Sequence, residues 1–379
     1  MLEHFNLNKL WDDICNLVIR PPRQKYNPQT QLGPKRFKMR NHSAREYERI
    51  DFTVKNSRGL QLTCSHYKPV LEQRPSIDMP CVIYLHGNCG SRCDALDAVN
   101  LLISHNITVV SMDFSGAGLS EGEYISLGYH ERDDVDVVIQ KLKRDQTKQE
   151  QISKIALWGR SAGAATSIMY ASEHQDDIVG VVADSPFTSL EDLIFDLVLR
   201  EQSWVPRSAI NLGITLMSKS ISKRAQFDIR DVHPLHHAKK AKVPILVAAA
   251  YGDDFIKLRH AEQIYFHYAG EKDIVRFEGD HNSSRPPSFY ESVITFFHNI
   301  LIAQTPLEDP SSPHLPIEAP TIHCIENDGN PSIPSLPALA SPSSSSATHD
   351  ESFFPIVSSV QRHFSKPPNV IFHSSKVSS

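Results

Sequence analysis

A serine between two glycines is the first feature of this sequence that could do chemistry. Residues 159–163 read Gly-Arg-Ser-Ala-Gly, directly after a strand-like apolar run and before a helix-like stretch. In that context the serine lies on a tight strand-to-helix turn, and its hydroxyl projects from the chain. The two glycines leave room for the close backbone approach that such a turn needs. The pattern predicts Ser161 as a nucleophile and the amide of Ala162, at the helix N-terminus, as an oxyanion donor.

A serine hydroxyl is a weak nucleophile unless a base accepts its proton, and at neutral pH histidine is the side chain suited to that task. The chain has 19 histidines, so residue type alone decides little. His281 stands out because it follows the last strand-like run, within Gly-Asp-His-Asn at 279–282, and precedes the last helix-like segment. We therefore predict that His281 is the base.

A base of this kind needs a carboxylate that fixes its tautomer and stabilises the imidazolium. Asp253 and Asp254 both follow the strand-like run that precedes the last one. Asp253 is favoured because it stands three residues before Ile256, where the apolar pattern resumes. Asp184, after an earlier strand, is a third candidate, although we expect it to brace the strand end through hydrogen bonds. The sequence thus predicts a Ser-Asp-His triad in which the acid is Asp253.

Another strand-like run ends in a turn that could supply a second oxyanion donor. Residues 85–90 read Leu-His-Gly-Asn-Cys-Gly. The backbone amide of Asn88 is the predicted donor, and His86 is expected to orient the turn rather than to act as a base. Cys89 lies close by, but no neighbouring cation or helix N-terminus in the sequence would favour its thiolate.

The elements that must position these residues alternate between residues 46 and 302. Apolar strand-like runs and helix-like segments follow one another, which is typical of an α/β fold with a mostly parallel sheet and helices on both faces. In such a sheet, functional residues gather at the carboxyl ends of the strands. Strands are predicted at Ile50–Lys55, Leu60–Tyr67, Pro80–Leu85, Ile107–Asp113, Lys154–Trp158, Val179–Ala183, Pro244–Ala249 and Ile274–Glu278.

Two apolar helices belong to an insertion that the sheet does not need. They are predicted near Leu190–Arg200 and Ser208–Ser220, within an insertion at about residues 187–242. Their apolar character predicts a small helical cap over the site, which would suit an acyl chain. The alternative is that they are ordinary helices that cover the sheet.

Residues 1–45 form a separate segment, with an amphipathic helix followed by a basic linker. Apolar residues recur at helical spacing up to Val18, and a Pro-Pro pair then ends the helix. Residues 20–49 carry nine Lys or Arg and two Glu. We expect the apolar stripe to pack on the protein body, and a peripheral membrane contact through residues 1–49 is the alternative. An acyl group on Cys15 alone would give only a marginal anchor.

Residues 303–379 form a tail of different composition. They include 12 Pro and 17 Ser among 77 residues, and one Gly. Such a segment cannot bury enough apolar surface to offset the entropy lost on ordering, so we predict that it is disordered. Short apolar islands such as Phe353–Val357 make the tail a candidate for docking protein partners.

The overall composition argues against several classes of protein. The 379-residue chain has a formal net charge of −5 and a pI of about 6.4, so no global basic field favours nucleic acid. Its six cysteines show no C-x-x-C spacing, which argues against a disulfide framework and a structural zinc site. The start lacks the pattern of a signal peptide, and no apolar run approaches the roughly 20 residues that span a bilayer. We expect a cytoplasmic protein that uses neither a metal nor a cofactor.

Taken together, these motifs resemble the α/β-hydrolase superfamily, in its serine aminopeptidase-like branch, which also contains monoacylglycerol lipase-like and acyl-protein thioesterase-like members. The resemblance covers about residues 15–302. It is especially close to a group of uncharacterised eukaryotic hydrolases of this branch. The branch usually carries His-Gly before the acid, where this chain has Ala249-Ala250. The segments that carry the resemblance are Ile19–Arg23, Cys64–Tyr67, His86–Asn88, Asp113–Ser120, Gly159–Gly163, Asp184–Phe187 and Gly279–Pro286.

The resemblance implies a serine hydrolase. It implies an esterase-type triad of Ser161, Asp253 and His281, with the amides of Asn88 and Ala162 as oxyanion donors. The implied substrates are carboxylic esters or thioesters, as small molecules, lipids or acylated proteins, cleaved through an acyl-enzyme. A serine peptidase or aminopeptidase-like hydrolase is one alternative. A non-catalytic adaptor with the same fold is another.

Overall fold

The backbone is organised around a nine-stranded, mostly parallel β-sheet. The computed structural model describes residues 7–39, 42–147 and 151–303. Across the sheet the strands stand in the order β1-β2-β3-β5-β4-β6-β7-β8-β9. Their bounds are β1 (Arg36–Met39), β2 (His42–Lys55), β3 (Gln61–Pro69), β4 (Asp78–Leu85), β5 (Thr108–Met112), β6 (Gln151–Arg160), β7 (Val181–Asp184), β8 (Ile245–Ala250) and β9 (Lys272–Phe277).

The sheet is antiparallel at one side and parallel over the rest. Strands β1, β2, β3 and β5 pair antiparallel in that order, and β5, β4, β6, β7, β8 and β9 pair parallel. Strands β2 and β3 form a hairpin, joined by a turn in which the Asn56 amide donates to the Leu60 carbonyl at 3.0 Å. Because six strands run parallel, the segments that follow them all begin at one edge, the carboxyl edge.

Helices cover both faces of the sheet. One face packs against α4, α5, α8 and α9, and the other packs against α3 and α10. The strands between them are almost continuously apolar because they are buried on both sides. The helices are α1 (Leu7–Ile19), α2 (Pro28–Gln31), α3 (Leu96–Leu102), α4 (Glu131–Arg144), α5 (Ala162–Glu173), α6 (Leu190–Glu201), α7 (Arg207–Ala225), α8 (Pro234–Ala238), α9 (Leu258–His267) and α10 (Pro287–Phe297).

The predicted α/β fold is confirmed, and every predicted strand is present. Two differences lie at the antiparallel side. Strand β2 begins at His42 rather than at Ile50, and it pairs with β1, which the sequence did not predict because its four residues carry little apolar pattern. The predicted segment boundary at residue 45 therefore falls inside β2.

A third apolar cluster lies at the carboxyl edge of the sheet rather than on either face. Helices α6 and α7 supply much of it, and they pack there with Ile125, Ala162 and Phe255. These two helices therefore form the predicted small cap. The short helix α8, from the same insertion, packs instead on α5.

Helix α1 joins this cap cluster. Cys15 and Ile19 are fully buried, and Asp12 forms an ion pair with Arg224 of α7. The apolar stripe thus packs on the protein body, and burial raises the pKa of the Cys15 thiol. Among the described residues, no helix is both long and apolar enough to cross a bilayer. The predicted tail lies outside the described residues from 304 onward.

Candidate active site

Ser161 lies on a tight turn between β6 and α5. Its backbone has φ +54° and ψ −115°, a conformation that residues other than glycine rarely adopt. The flanking glycines make the turn possible. A Cβ on Gly159 would lie 2.1 Å from the Gly163 carbonyl oxygen, and one on Gly163 would lie 2.0 Å from the Leu85 carbonyl oxygen. The strand, the helix and the end of β4 are therefore in direct backbone contact around Ser161.

Two backbone amides near Ser161 are available to a ligand. Ala162 opens α5, and the first amides of a helix have no acceptor within it. After β4, the Gly90 amide donates to the Gly87 carbonyl at 3.1 Å, which closes a turn and leaves the Asn88 amide outside that bond. A Cβ on Gly87 would lie 3.5 Å from Ser161 Cβ, so this turn touches the serine. Both predicted oxyanion donors thus lie beside the predicted nucleophile.

The His86 ring holds the turn after β4. Its Nε2 accepts from the Phe114 amide at 3.1 Å, so the ring proton lies on Nδ1, which donates to the Gly87 carbonyl at 2.7 Å. With both nitrogens engaged by the backbone, the ring orients the turn, as the sequence analysis expected. It offers no free nitrogen for a base.

Cys89 is the next residue that could compete as a nucleophile. It takes φ +61° in the turn, and its thiol is mostly buried. Burial, with a smaller contribution from Asp94, raises the pKa of Cys89 to about 12. The thiol is therefore protonated at neutral pH and is a poor nucleophile.

His281 pairs with Asp253. The distance between His281 Nδ1 and Asp253 Oδ2 is 2.7 Å, and the carboxylate is fully buried. The other oxygen, Oδ1, accepts from the amides of Phe255 at 3.0 Å and Ile256 at 2.7 Å. Three hydrogen bonds therefore fix this carboxylate, and His281 Nε2 is the nitrogen left to take a proton.

The two rejected acids have other partners. Asp254 is 61% exposed and forms an ion pair with Arg200. Asp184 forms a two-pronged pair with Arg285, with both N–O distances at 2.9 Å. Burial alone would raise the pKa of Asp184, but the charge and hydrogen bonds of Arg285 outweigh it and lower the pKa. Asp184 braces the strand end, as the sequence analysis expected.

The loop that carries His281 is anchored beside Ser161. The Arg160 guanidinium, from the residue before the serine, donates to the His281 carbonyl at 2.8 Å. Arg285 donates to the same carbonyl at 3.4 Å, and it binds Asp184, whose own carbonyl accepts from the Ser161 amide at 2.8 Å. These contacts place the turn at Ser161 next to the loop that carries His281, at the carboxyl edge of the sheet.

Comparison with known proteins agrees with this arrangement. Residues 79–233 match the model of a family described as serine aminopeptidase, S33. The YqkD protein of Bacillus subtilis is 25% identical over 244 residues, which cover 64% of this chain and 76% of that protein. The esterase Pf2001 of Pyrococcus furiosus superposes with a TM-score of 0.54 at 18% identity, covering 74% of this chain and 98% of the esterase. The chain has the α/β-hydrolase fold.

A peptidase of similar fold is also among the solved structures. The acylaminoacyl peptidase of Pyrococcus horikoshii superposes with a TM-score of 0.53 at 17% identity, covering 69% of this chain and 43% of the peptidase. At such identities the superpositions establish the fold of this chain and leave its substrate open.

A small cavity adjoins the turn after β4, residues 86–90, which carries the predicted oxyanion donor Asn88 and is called the oxyanion turn below. Its volume is about 20 Å³, and its walls are mainly apolar. The Asn88 Nδ2 atom is buried and has no hydrogen-bond partner among the described residues, so it can donate to a bound group. The cavity is lined by His86, Gly87, Asn88, Cys89, Phe114, Ala117, Ile125, Leu127, Glu131, Ala162 and Thr166.

Sequence reasoning missed two arginines of this site. In the sequence, Arg160 fills the variable position of the serine motif and Arg285 lies in the segment after His281, and neither carries a local signal of function. Arg285 is buried, and its guanidinium packs over the Phe277 ring at 5.0 Å. A lone arginine before a proline gives no signal of burial, because its acid partner lies about a hundred residues earlier in the chain.

One group of side chains among the described residues has the spacing of a metal site. Asp136, His174 and Asp177 offer ligand atoms within 4.8 Å of one another. However, Lys143 already forms an ion pair with Asp177, and the Tyr170 hydroxyl contacts both carboxylates. These partners account for the cluster without an ion, and it lies on α4 and the end of α5 rather than at the carboxyl edge.

Proposed function

We propose that this chain is a serine hydrolase that cleaves carboxylic ester or thioester bonds through an acyl-enzyme. The observation that carries the proposal is the 2.7 Å His281–Asp253 pair, which is anchored beside a serine held at φ +54°. A strained serine turn, an oriented imidazole and two free amides are the parts that acyl transfer needs.

In the proposed reaction His281 Nε2 takes the proton of Ser161 as its oxygen attacks the acyl carbonyl carbon. The amides of Asn88 and Ala162 hold the negative charge that develops on the carbonyl oxygen. The imidazolium, stabilised by Asp253, then protonates the departing alcohol or thiol. Water, deprotonated by the same histidine, attacks the acyl-enzyme, releases the carboxylic acid and restores the serine.

Esters and thioesters are favoured over peptides with a free amino terminus by the partners of two cap acids, Asp192 and Asp196. An aminopeptidase needs a free carboxylate to pair with the substrate ammonium. The acidic candidate Asp196 is already paired with Arg259 at 2.6 Å, and it also contacts His260 at 3.2 Å. Asp192 accepts from the Thr188 hydroxyl at 2.9 Å. The family match keeps an aminopeptidase-like activity as the second candidate.

The experiment that tests the proposal is labelling with a fluorophosphonate probe, with the labelled peptide located by mass spectrometry. The wild-type chain should be labelled at Ser161, and Ser161→Ala and His281→Ala should not be labelled. Ser167→Ala is the matched control, because this buried serine lies on the same helix and donates to the Gly163 carbonyl at 2.8 Å. It should be labelled like the wild type.

Substrate class is then decided by comparing turnover of matched oxygen esters, thioesters and aminoacyl amides with the same acyl group. Faster turnover of the ester or thioester is the expected result. Faster turnover of the amide with a free amino group would favour the second candidate. A folded wild-type chain that is neither labelled nor active on any of the three would contradict the proposal and favour a non-catalytic adaptor, as would labelling at another residue.

A further inference from the structure

A segment that precedes the sheet contacts residues that support the oxyanion turn. We define the N-terminal arm as residues 20–33, which lie outside the segment that matches the family model. Arg23 donates to the carbonyls of Ser120 at 2.9 Å and Gly122 at 2.6 Å. Just before the arm, the Ile19 carbonyl accepts from the Ile125 amide at 2.9 Å. The arm therefore holds the loop that follows β5, which also forms one wall of the active-site cavity.

Tyr26 is the arm residue that reaches deepest. Its hydroxyl donates to Asp113 Oδ2 at 2.6 Å and accepts from Arg92 Nε at 2.5 Å. Burial, followed by the charge of Asp113, raises the pKa of the Tyr26 phenol. The phenol therefore keeps its proton and remains a donor to the carboxylate across the working pH range.

Asp113 and its neighbour Phe114 hold the two ends of the oxyanion turn. At one end Asp113 Oδ1 accepts from the Arg92 amide at 2.7 Å, which fixes the chain just after the turn. At the other end, the next residue along the chain, Phe114, donates its amide to the His86 ring, and that ring donates to the Gly87 carbonyl. The Asn88 amide lies between these two fixed points.

The Tyr26 hydroxyl joins the Asp113 carboxylate to the Arg92 guanidinium through a hydrogen bond to each. The direct distance between Arg92 Nε and Asp113 Oδ2 is 3.9 Å, so the phenol oxygen bridges a gap that the ion pair does not close by itself. The carboxylate is fully buried, and the loop after β5 is wrapped around it. A Cβ on Gly118 would lie 2.3 Å from its Cγ. Arg92 Nη1 is held separately by the Cys64 carbonyl at 3.1 Å and the Ser65 hydroxyl at 2.7 Å, so loss of the Tyr26 hydroxyl removes the link between Arg92 Nε and Asp113 while the rest of the guanidinium stays anchored.

We propose that Tyr26 is a positioning residue for the oxyanion hole, acting through Asp113, Arg92 and His86 on the Asn88 amide. This inference rests on the proposed function. It gives the N-terminal arm, which lies outside the residues that match the family model, a part in stabilising the transition state. A displacement of an oxyanion donor by a fraction of an ångström weakens a hydrogen bond that forms only in the transition state. Such a displacement therefore lowers kcat more than it alters substrate binding.

The test compares Tyr26→Phe with Tyr67→Phe in the full-length chain. Tyr67 is the matched control because its buried hydroxyl also anchors the arm, at the Leu32 carbonyl (3.3 Å), but has no contact with Asp113. For Tyr26→Phe we expect kcat on a short-chain nitrophenyl ester to fall about 10-fold, with KM within a factor of two. Tyr67→Phe should stay within a factor of two in both constants.

A second readout separates positioning from simple loss of stability. A trifluoromethyl ketone adds to the active serine and places an oxyanion in the hole. Its inhibition constant should therefore rise in Tyr26→Phe by the same factor as kcat/KM falls, at a temperature where circular dichroism shows both variants folded. An unchanged kcat and inhibition constant would overturn the inference. So would an effect on KM alone, or an equal effect from Tyr67→Phe.

A third measurement keeps the inference testable if Tyr26→Phe does not fold. The wild-type sequence with 3-fluorotyrosine at position 26 retains the ring and the hydroxyl, and its ¹⁹F resonance should shift when the ketone adduct forms. No shift on adduct formation would overturn the inference. Failure of the proposed function is distinguishable, because the unmodified wild type would then neither react with the ketone nor be labelled by fluorophosphonate.

Discussion

His281 Nδ1 lies 2.7 Å from Asp253 Oδ2, while the neighbouring Asp254 carboxylate is 61% exposed and turned toward Arg200. Two adjacent residues of the same type thus have opposite environments. The buried carboxylate is held by two backbone amides and is preorganised to receive the imidazole. The exposed carboxylate is screened by water and forms an ion pair with Arg200.

This difference predicts a large asymmetry between two conservative substitutions. Asp253→Asn should lower kcat for ester hydrolysis by about 10⁴-fold, because the amide favours the wrong imidazole tautomer and cannot stabilise imidazolium. Asp254→Asn should stay within about threefold, as expected for an exposed ion pair. Steady-state turnover of the two variants checks this. Equal losses, or a larger loss for Asp254→Asn, would refute the assignment of the acid.

The buried Asp184–Arg285 pair predicts a loss of stability. Asp184→Asn leaves the guanidinium buried without its counter-charge, so the free energy of unfolding should fall by about 3–5 kcal/mol at pH 7. Urea unfolding monitored by circular dichroism measures this. Asp254→Asn serves as the exposed control and should change the free energy of unfolding by less than about 1 kcal/mol.

The same pair predicts a pH dependence of defined sign. The folded-state pKa of Asp184 lies below its ordinary value of 3.8, so the carboxylate contributes stability that is fully present above about pH 5. That contribution is lost as the pH falls through the lowered pKa. The difference in unfolding free energy between wild type and Asp184→Asn should therefore narrow from pH 6 toward pH 2. A difference that stays constant over this range would contradict the prediction.

The raised pKa values of the thiols predict that alkylating reagents leave the candidate active site unmodified. Burial raises the thiol pKa of five cysteines, and it raises the pKa of Cys89 to about 12. The five are Cys15, Cys64, Cys81, Cys89 and Cys93. Iodoacetamide at pH 7.5 should therefore leave fluorophosphonate labelling of the folded chain unchanged, because it reacts with thiolates. Peptide mapping measures alkylation, with urea-unfolded chain as the control that reacts at all five positions. Loss of labelling together with modification of Cys89 would contradict this expectation.

The 20 Å³ cavity predicts a preference for short acyl groups. A water molecule needs about 10–15 Å³ of such space, so we expect the cavity beside Asn88 to favour small acyl groups. We expect kcat/KM for nitrophenyl esters to fall at least about 10-fold from acetyl to octanoyl. Ile125→Ala removes part of the wall and should move the optimum to longer chains.

The control for that prediction is Ile210→Ala. Ile210 is buried in the same apolar cluster but is not part of the cavity wall, so its loss should lower thermal stability without changing chain-length preference. A shift of the optimum in this control, or none in Ile125→Ala, would show that the cavity does not select the acyl group.

Much of the fold followed from local patterns. Continuous apolar runs predicted the buried strands, because a strand covered by helices on both faces has no polar side. Strand β1 escaped prediction because an edge strand of four residues depends on its neighbour rather than on its own pattern. The apolar stripe of α1 was visible in the sequence, but whether it would contact the cap or a membrane was not, since both surfaces are apolar.

The sequence by itself predicted the tight turn at Ser161 and the position of His281 after the last strand, because each depends on residues adjacent in the chain. Only the tertiary structure decided which aspartate is buried, and that Asp184 belongs to Arg285, 101 residues later. The bridge from Tyr26 to Asp113 likewise spans 87 residues. Burial and hydrogen-bond partners depend on which segments the sheet brings together, and no local pattern of residue types records that.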